Sequence, residues 1–184
     1  MKPTKQIHQN IIDLCKENNA KAQMQLYNLY SQAMFLISYR YVKDKCLAED
    51  IMQESFIKAF KNIKSYKNEV PVGAWLKRIV INHSIDQLKK NKLELVAINE
   101  EVTTKIDDDW KVETDISVDG IVNKINALKE KYRLVLSLYL LEGYDHAEIS
   151  QILNITENTS RTHLLRGKKL LKEQLKNTSY AEGY

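Results

Sequence analysis

The sequence predicts an all-α protein: two small helical domains joined by an acidic linker, the second built around a helix-turn-helix. Three observations predict this. The 184 residues include only 5 Gly and 2 Pro, too few for the many tight turns of a β-sandwich or barrel. Apolar residues recur at helical spacings over most of the chain. The charge falls in blocks: residues 1–94 hold 16 Lys/Arg against 9 Asp/Glu, residues 95–119 hold 2 against 8, and residues 120–184 hold 10 against 7. Two basic blocks therefore flank one acidic segment. The expected division is a first domain over 1–92, a linker over 93–119, a second domain over 120–177 and a tail over 178–184.

Residues 5–42 read as helical, with Leu26, Leu29, Tyr30, Ala33, Met34 and Ile37 at helical spacings. Asp44 can cap the next helix. In that helix, over 48–60, Ala48, Ile51, Met52, Ser55, Phe56, Ala59 and Phe60 form one stripe that must be buried. Residues 64–73 contain Pro71 and Gly73 and read as a loop. A further helix is expected from about Ala74 to Lys90. Periodicity is lost over 93–119, where Asp107, Asp108 and Asp109 run together. Helical periodicity returns at Gly120 and persists to about Lys176.

The helix-turn-helix occupies 144–170. Gly143 stands where a left-handed residue would end the preceding helix. Asp145 and Glu148 make a capping box for a short helix over 147–153. Asn154 falls at a tight turn that needs a positive φ. Ile155 would plug the core, and Thr156 would cap the longer second helix. Adding 100° per residue turns Ser160, Leu164, Gly167, Leu171 and Leu175 inward. The same count puts Asn158, Thr159, Thr162, Arg166 and Lys169 on the opposite side, flanked by Arg161, Lys168 and Lys172. A major groove admits one helix, whose first half reaches base edges. Thr162 and Arg166 are placed for base edges, Leu165 for a thymine methyl, and Lys168, Lys169 and Lys172 for phosphates.

Two surfaces stand out in the first half. Asp50, Gln53, Glu54 and Ile57 form one line on the outer face of the 48–60 helix. That line fits a docking strip for a basic partner, and it equally fits a solvated helix face. Arg78, Asn82 and Lys89 lie on one line of the next helix, bordered by Asp86. Tyr66 and Trp75 flank the intervening loop, where aromatics can stack on unpaired bases or simply fill the core. His83 reads as structural.

Other function classes find little support. Glycine-rich phosphate loops are missing. Cys15 and Cys46 do not have metal-ligand spacing, and His8, His83, His146 and His163 do not cluster. No paired carboxylates or activated nucleophile suggest an enzyme, so no catalytic residue, metal or cofactor is expected. The N-terminal MKPTKQIHQN lacks the apolar core of a signal peptide, and no apolar run approaches a membrane helix. A cytoplasmic location without membrane insertion is expected. On these residues alone, a stand-alone helix-turn-helix regulator that binds duplex DNA as a dimer stays open.

Three motifs together favour another answer. AEDIMQESFIKAF (48–60), WLKRIVINHSIDQLKK (75–90) and EGYDHAEISQILNITENTSRTHLLRGKKL (142–170) resemble region 2.2, regions 2.3 and 2.4, and region 4.2 of extracytoplasmic-function (ECF) sigma factors, group 4 of the sigma-70 family. The resemblance spans roughly residues 16–176. It implies a transcription initiation factor that binds core RNA polymerase, recognises the −10 and −35 promoter elements and helps melt the promoter. Asp50, Gln53, Glu54 and Ile57 would dock on the β′ clamp helices, and the β flap would be a further contact. Tyr66, Arg78, Asn82, Asp86 and Lys89, with the loop over 66–72, would serve the −10 element. Thr159, Arg161, Thr162, Leu165, Arg166 and Lys169 would read the −35 element. The linker would thread towards the active-site cleft and RNA exit path, and an anti-sigma factor would be a regulatory partner. The chain departs from the family pattern at Lys129, Ser150, Asn154 and Ser160. Ser160 is expected to loosen the recognition helix unless its hydroxyl bonds back to its own backbone.

Overall fold

A computed structural model describes residues 8–93 and 117–181, all helix and turn with no strand among them. The chain divides into two compact units, Met1–Ala97 and Ile98–Tyr184. Most of the expected linker lies outside the described residues, as does its proposed path.

The first unit packs four helices: α1 (Gln9–Lys16), α2 (Ala20–Val42), α3 (Lys45–Asn62) and α4 (Val72–Leu93). The helical stretch expected over 5–42 is thus two helices. Asn18 takes a left-handed φ of 61°, which Asn tolerates better than most residues. The Asn19 side chain then accepts from the Ala22 N–H at 3.1 Å and starts α2. Apolar periodicity runs on through this break and hides it. Asp44 caps α3 as expected, accepting from Leu47 N–H at 2.7 Å. Ala48, Ile51, Met52, Ser55, Phe56 and Ala59 are buried along its inner face. Met52, Phe56 and Ala59 meet Ile12, Leu26, Met34, Leu76 and Val80 in one core, with Tyr27 edge-on to Phe56 at 4.9 Å. Each large apolar side chain so buried contributes about 1.5–3 kcal/mol.

A 3₁₀ turn at Ile63–Ser65 leads into the loop, and the Pro71 carbonyl accepts from the N–H groups of Ala74 and Trp75 as α4 begins. Proline suits this position because it has no N–H to lose and a helical φ.

The second unit contains α5 (Val118–Ala127), α6 (Glu130–Leu136), a π turn at Ser137–Leu141, α7 (His146–Leu153) and α8 (Glu157–Ala181). Ser117 caps α5 by accepting from Gly120 N–H at 3.2 Å, so the helix starts slightly before Gly120. Ile125, Leu134, Val135, Leu136, Leu138, Ile149, Leu164, Leu171 and Leu175 build the core. Gly167 lets α8 approach α6: a Cβ there would sit 2.2 Å from Leu136 Cδ1 and 3.3 Å from Tyr132 Cβ.

Candidate nucleic-acid interface

The helix-turn-helix follows its sequence signals closely. Gly143 has φ 76° and Asn154 has φ 55°. Glu148 N–H donates to Asp145 Oδ1 at 2.8 Å, and Asp145 N–H donates to Glu148 Oε2 at 3.2 Å, which completes the capping box. Thr156 Oγ1 accepts from Thr159 N–H at 3.1 Å. On α8, Ser160, Leu164, Gly167, Leu171 and Leu175 are all buried, as the 100° count requires. Asn158, Arg161 and Lys169 are exposed, while Thr159, Thr162, Leu165, Arg166, Lys168 and Lys172 are half-buried. Base-reaching and phosphate-reaching candidates thus share one open face.

That face is partly engaged by itself. The Thr162 hydroxyl donates to Asn158 O at 2.9 Å. Its proton is committed, and its oxygen remains an acceptor. Arg161 pairs with Glu157 at 3.0 Å, both about half exposed; such a pair is worth only about 0.3–0.5 kcal/mol and is easily exchanged for another anion. Lys168 Nζ stands 6.0 Å from the centroid of the Tyr139 ring.

Ser160 behaves differently from either expectation. It is fully buried, and its hydroxyl lies 2.8 Å from His146 Nδ1, joining α8 to α7. The imidazole stacks on Tyr139 at 4.9 Å. Burial, then Arg161, holds the His146 pKa below its ordinary value. Instead of loosening the recognition helix, Ser160 ties it to its neighbour. Nothing local in the sequence marks His146, because its partner lies 14 residues away. The usable signal was an inward-facing serine opposite the first turn of α7.

In the first unit Asp50, Gln53, Glu54 and Ile57 are all exposed on α3. Three of them are polar, and Ile57 leaves 52% of its surface open. On α4, Arg78, Asn82 and Asp86 are exposed and Lys89 is half-buried. Tyr66 corrects the expectation of a base-facing aromatic. It is only 4% exposed, its hydroxyl donates to the Val70 carbonyl, and its ring tilts against Trp75 at 5.2 Å. Lys16 Nζ lies 5.8 Å from the ring centroid. The apolar gain of burying the ring wins, and Tyr66 closes the loop from beneath. Val70, in the same loop, is exposed.

His83 is structural, as the sequence reading expects, and it also reaches the surface. It is 5% exposed, with Nδ1 3.2 Å from Ser55 Oγ and Nε2 3.1 Å from Glu54 Oε2. Burial, then Lys58, pushes its pKa down.

Residues 26–94 match the family model "Sigma-70 region 2", and residues 119–171 match "Sigma-70, region 4". The ECF RNA polymerase sigma factor SigW of Bacillus subtilis is 30% identical over 175 residues, covering 88% of this chain and 93% of SigW. SigM of the same organism is 30% identical over 154 residues, covering 80% of this chain and 91% of SigM. The fold is similar to that of sigma factor RpoE from Bartonella quintana, solved in complex with the anti-sigma factor NepR, with a TM-score of 0.51 and 22% identity over 83% of this chain and 96% of that one. It is also similar to CnrH, solved with the cytosolic domain of CnrY, with a TM-score of 0.51 and 18% identity over 91% of this chain and 96% of CnrH. Two family models in family order, and relatives matched over nearly their whole length, place this chain in the extracytoplasmic-function family of RNA polymerase sigma factors.

Proposed function

We propose that this protein binds core RNA polymerase, brings it to promoters carrying matched −10 and −35 elements, and helps open the DNA. The observation that carries the reading is the pairing, in one chain, of an exposed acidic strip on α3 with a helix-turn-helix whose open face is basic. A stand-alone duplex regulator has use for the second surface and none for the first.

Asp50, Gln53 and Glu54 offer carboxylate and amide groups to a basic surface, and Ile57 adds an apolar contact; β′ clamp helices are the partner the family resemblance suggests. Arg78, Asn82, Asp86 and Lys89 present donors and acceptors along α4, beside the loop that Tyr66 braces. Melting exchanges base stacking, a few kcal/mol per step, for capture of an unpaired base by protein. Val70 is an exposed apolar group in the same loop. On α8, Arg161, Thr162, Leu165 and Arg166 face base edges of a −35 duplex, while Thr159, Lys168, Lys169 and Lys172 fix register on phosphates. A sigma factor of similar fold, RpoE, was solved with an anti-sigma partner, which supports a similar partner here.

Run-off transcription with purified protein and bacterial core polymerase on a promoter library tests the reading. Protein-dependent, sequence-specific transcripts are expected. Failure to bind core polymerase, combined with tight specific duplex binding by the protein alone, would move the assignment to a stand-alone regulator.

A further inference from the structure

The imidazole of His83 sits inside the first unit yet reaches the docking strip. Its two nitrogens contact consecutive residues of α3, Glu54 through Nε2 at 3.1 Å and Ser55 through Nδ1 at 3.2 Å. A glutamate carboxylate can only accept. Nε2 must therefore carry the proton, and Nδ1 then accepts from the Ser55 hydroxyl. One tautomer satisfies both partners. Lys58 from α3 and Asp86 and Lys90 from α4 are the other charges that face the ring; the Gln87 NH2 group lies 3.4 Å from Nε2, a donor facing a donor in this tautomer, so it makes no hydrogen bond there. The Glu54 side chain itself remains 58% exposed.

An exposed glutamate on a helix samples several rotamers, and freezing it in a complex costs affinity. A hydrogen bond from a buried, packed ring removes part of that freedom beforehand, and a charged acceptor makes the bond stronger. We propose that His83 is a positioning residue for polymerase docking: from within the unit it holds the Glu54 carboxylate in one orientation on the strip, ready for a basic group of the partner. The helix carrying the −10 candidates thereby sets the geometry of a contact made by α3. The proposal rests on the docking reading of Asp50, Gln53, Glu54 and Ile57.

The test is a double-mutant cycle on core-polymerase affinity, with thermal unfolding measured alongside. In His83→Asn the amide can still meet Ser55 but is too short to reach Glu54; in His83→Gln the amide reaches the Nε2 position. His83→Asn should weaken core binding about three- to tenfold, the range expected for restoring one side chain's freedom. His83→Gln should recover most of that loss. In a Glu54→Ala background neither change should weaken binding further. An equal loss from His83→Asn with and without Glu54, or no loss with Glu54 present, overturns the proposal. If Glu54→Ala alone leaves affinity unchanged, the docking reading fails and the proposal falls with it. Should His83→Asn not fold, Ser55→Ala removes only the inner anchor, and its smaller loss should also vanish without Glu54. Imidazole ¹⁵N shifts provide an independent readout: an Nε2–H tautomer is expected, and an Nδ1–H tautomer would refute the arrangement.

Discussion

Both units fasten two helices with a serine–histidine contact, buried in the first and half-buried in the second, and they use it for different ends. In the first, His83 of α4 meets Ser55 of α3 at 3.2 Å and continues outward to Glu54. In the second, His146 of α7 meets Ser160 of α8 at 2.8 Å, and the ring stacks on Tyr139. The first contact ends on a surface charge. The second stays within the unit, where it fixes the angle between the two helices of the DNA-binding motif. The same pair of side chains can therefore orient one exposed group or one whole helix, depending on what lies beyond the ring.

The largest effects should separate buried from exposed positions. Leu171→Ala removes a fully buried side chain from the inner face of α8. Its cost should be about 2–5 kcal/mol in denaturant unfolding. Ile57→Ala truncates a side chain that is 52% exposed, and stability should move by less than about 0.5 kcal/mol. Core-polymerase affinity should nevertheless fall. Intact affinity in a folded Ile57→Ala protein would remove that residue from the docking strip.

How much the sequence revealed depended on the range of the interactions involved. Helix caps are local, so Asp44, the Asp145–Glu148 box and the Asn154 turn were legible residue by residue. The inner face of α8 was legible because it follows from helical geometry alone. The Asn18–Asn19 break was missed because a short interruption need not disturb the apolar period on either side. Tyr66 was misplaced because a loop aromatic has the same sequence signature whether it faces solvent or the core; only packing against Trp75 and the bond to Val70 decide. The structural reading of His83 holds, but its partner, like that of His146, is not legible, because each ring draws its meaning from a serine on another helix. Those pairings, at separations of 28 and 14 residues, have no local signature.

The two serines allow the comparison itself to be tested. Ser160→Ala leaves the half-buried His146 Nδ1 without its protein partner, at a cost of about 0.5–1.5 kcal/mol. Ser55→Ala should cost less, because its contact is longer and Glu54 still holds the other nitrogen of its histidine. Urea unfolding of the two variants checks the order, and the reverse order would break the distinction drawn between the units. Promoter readout should separate them further: Ser160→Ala should weaken recognition across the −35 element, since it affects the whole helix. Arg166→Ala should instead cost about 1–3 kcal/mol at one −35 position if the side chain meets a base edge. Lys169→Ala should weaken all sequences alike and flatten the salt dependence. Transcription from single-base promoter variants distinguishes these patterns.

The smallest predicted effect is on pH. Burial holds His83, His146 and His163 below the ordinary histidine pKa, so the folded chain binds these protons less readily than the unfolded chain. Stability from each is fully present above about pH 6.5 and is lost as pH falls through the depressed folded values. The units should not lose it equally. The second contains two of the three histidines; Lys131 and Arg166 oppose protonation of His163, and around His146 Arg161 and Lys168 oppose it while Glu157 and Asp145 favour it. In the first, Lys58 and Lys90 add to the burial penalty on His83, and Glu54, which accepts directly from the ring, offsets part of it together with Asp86. Residue-resolved hydrogen exchange at pH 7.5 and 5.5 should show protection falling further in α7 and α8 than in α3 and α4. His146→Phe should reduce that difference by removing one of the titrating groups. A fall that is equal in both units and unchanged by His146→Phe would mean that the histidine contacts do not set the acid response.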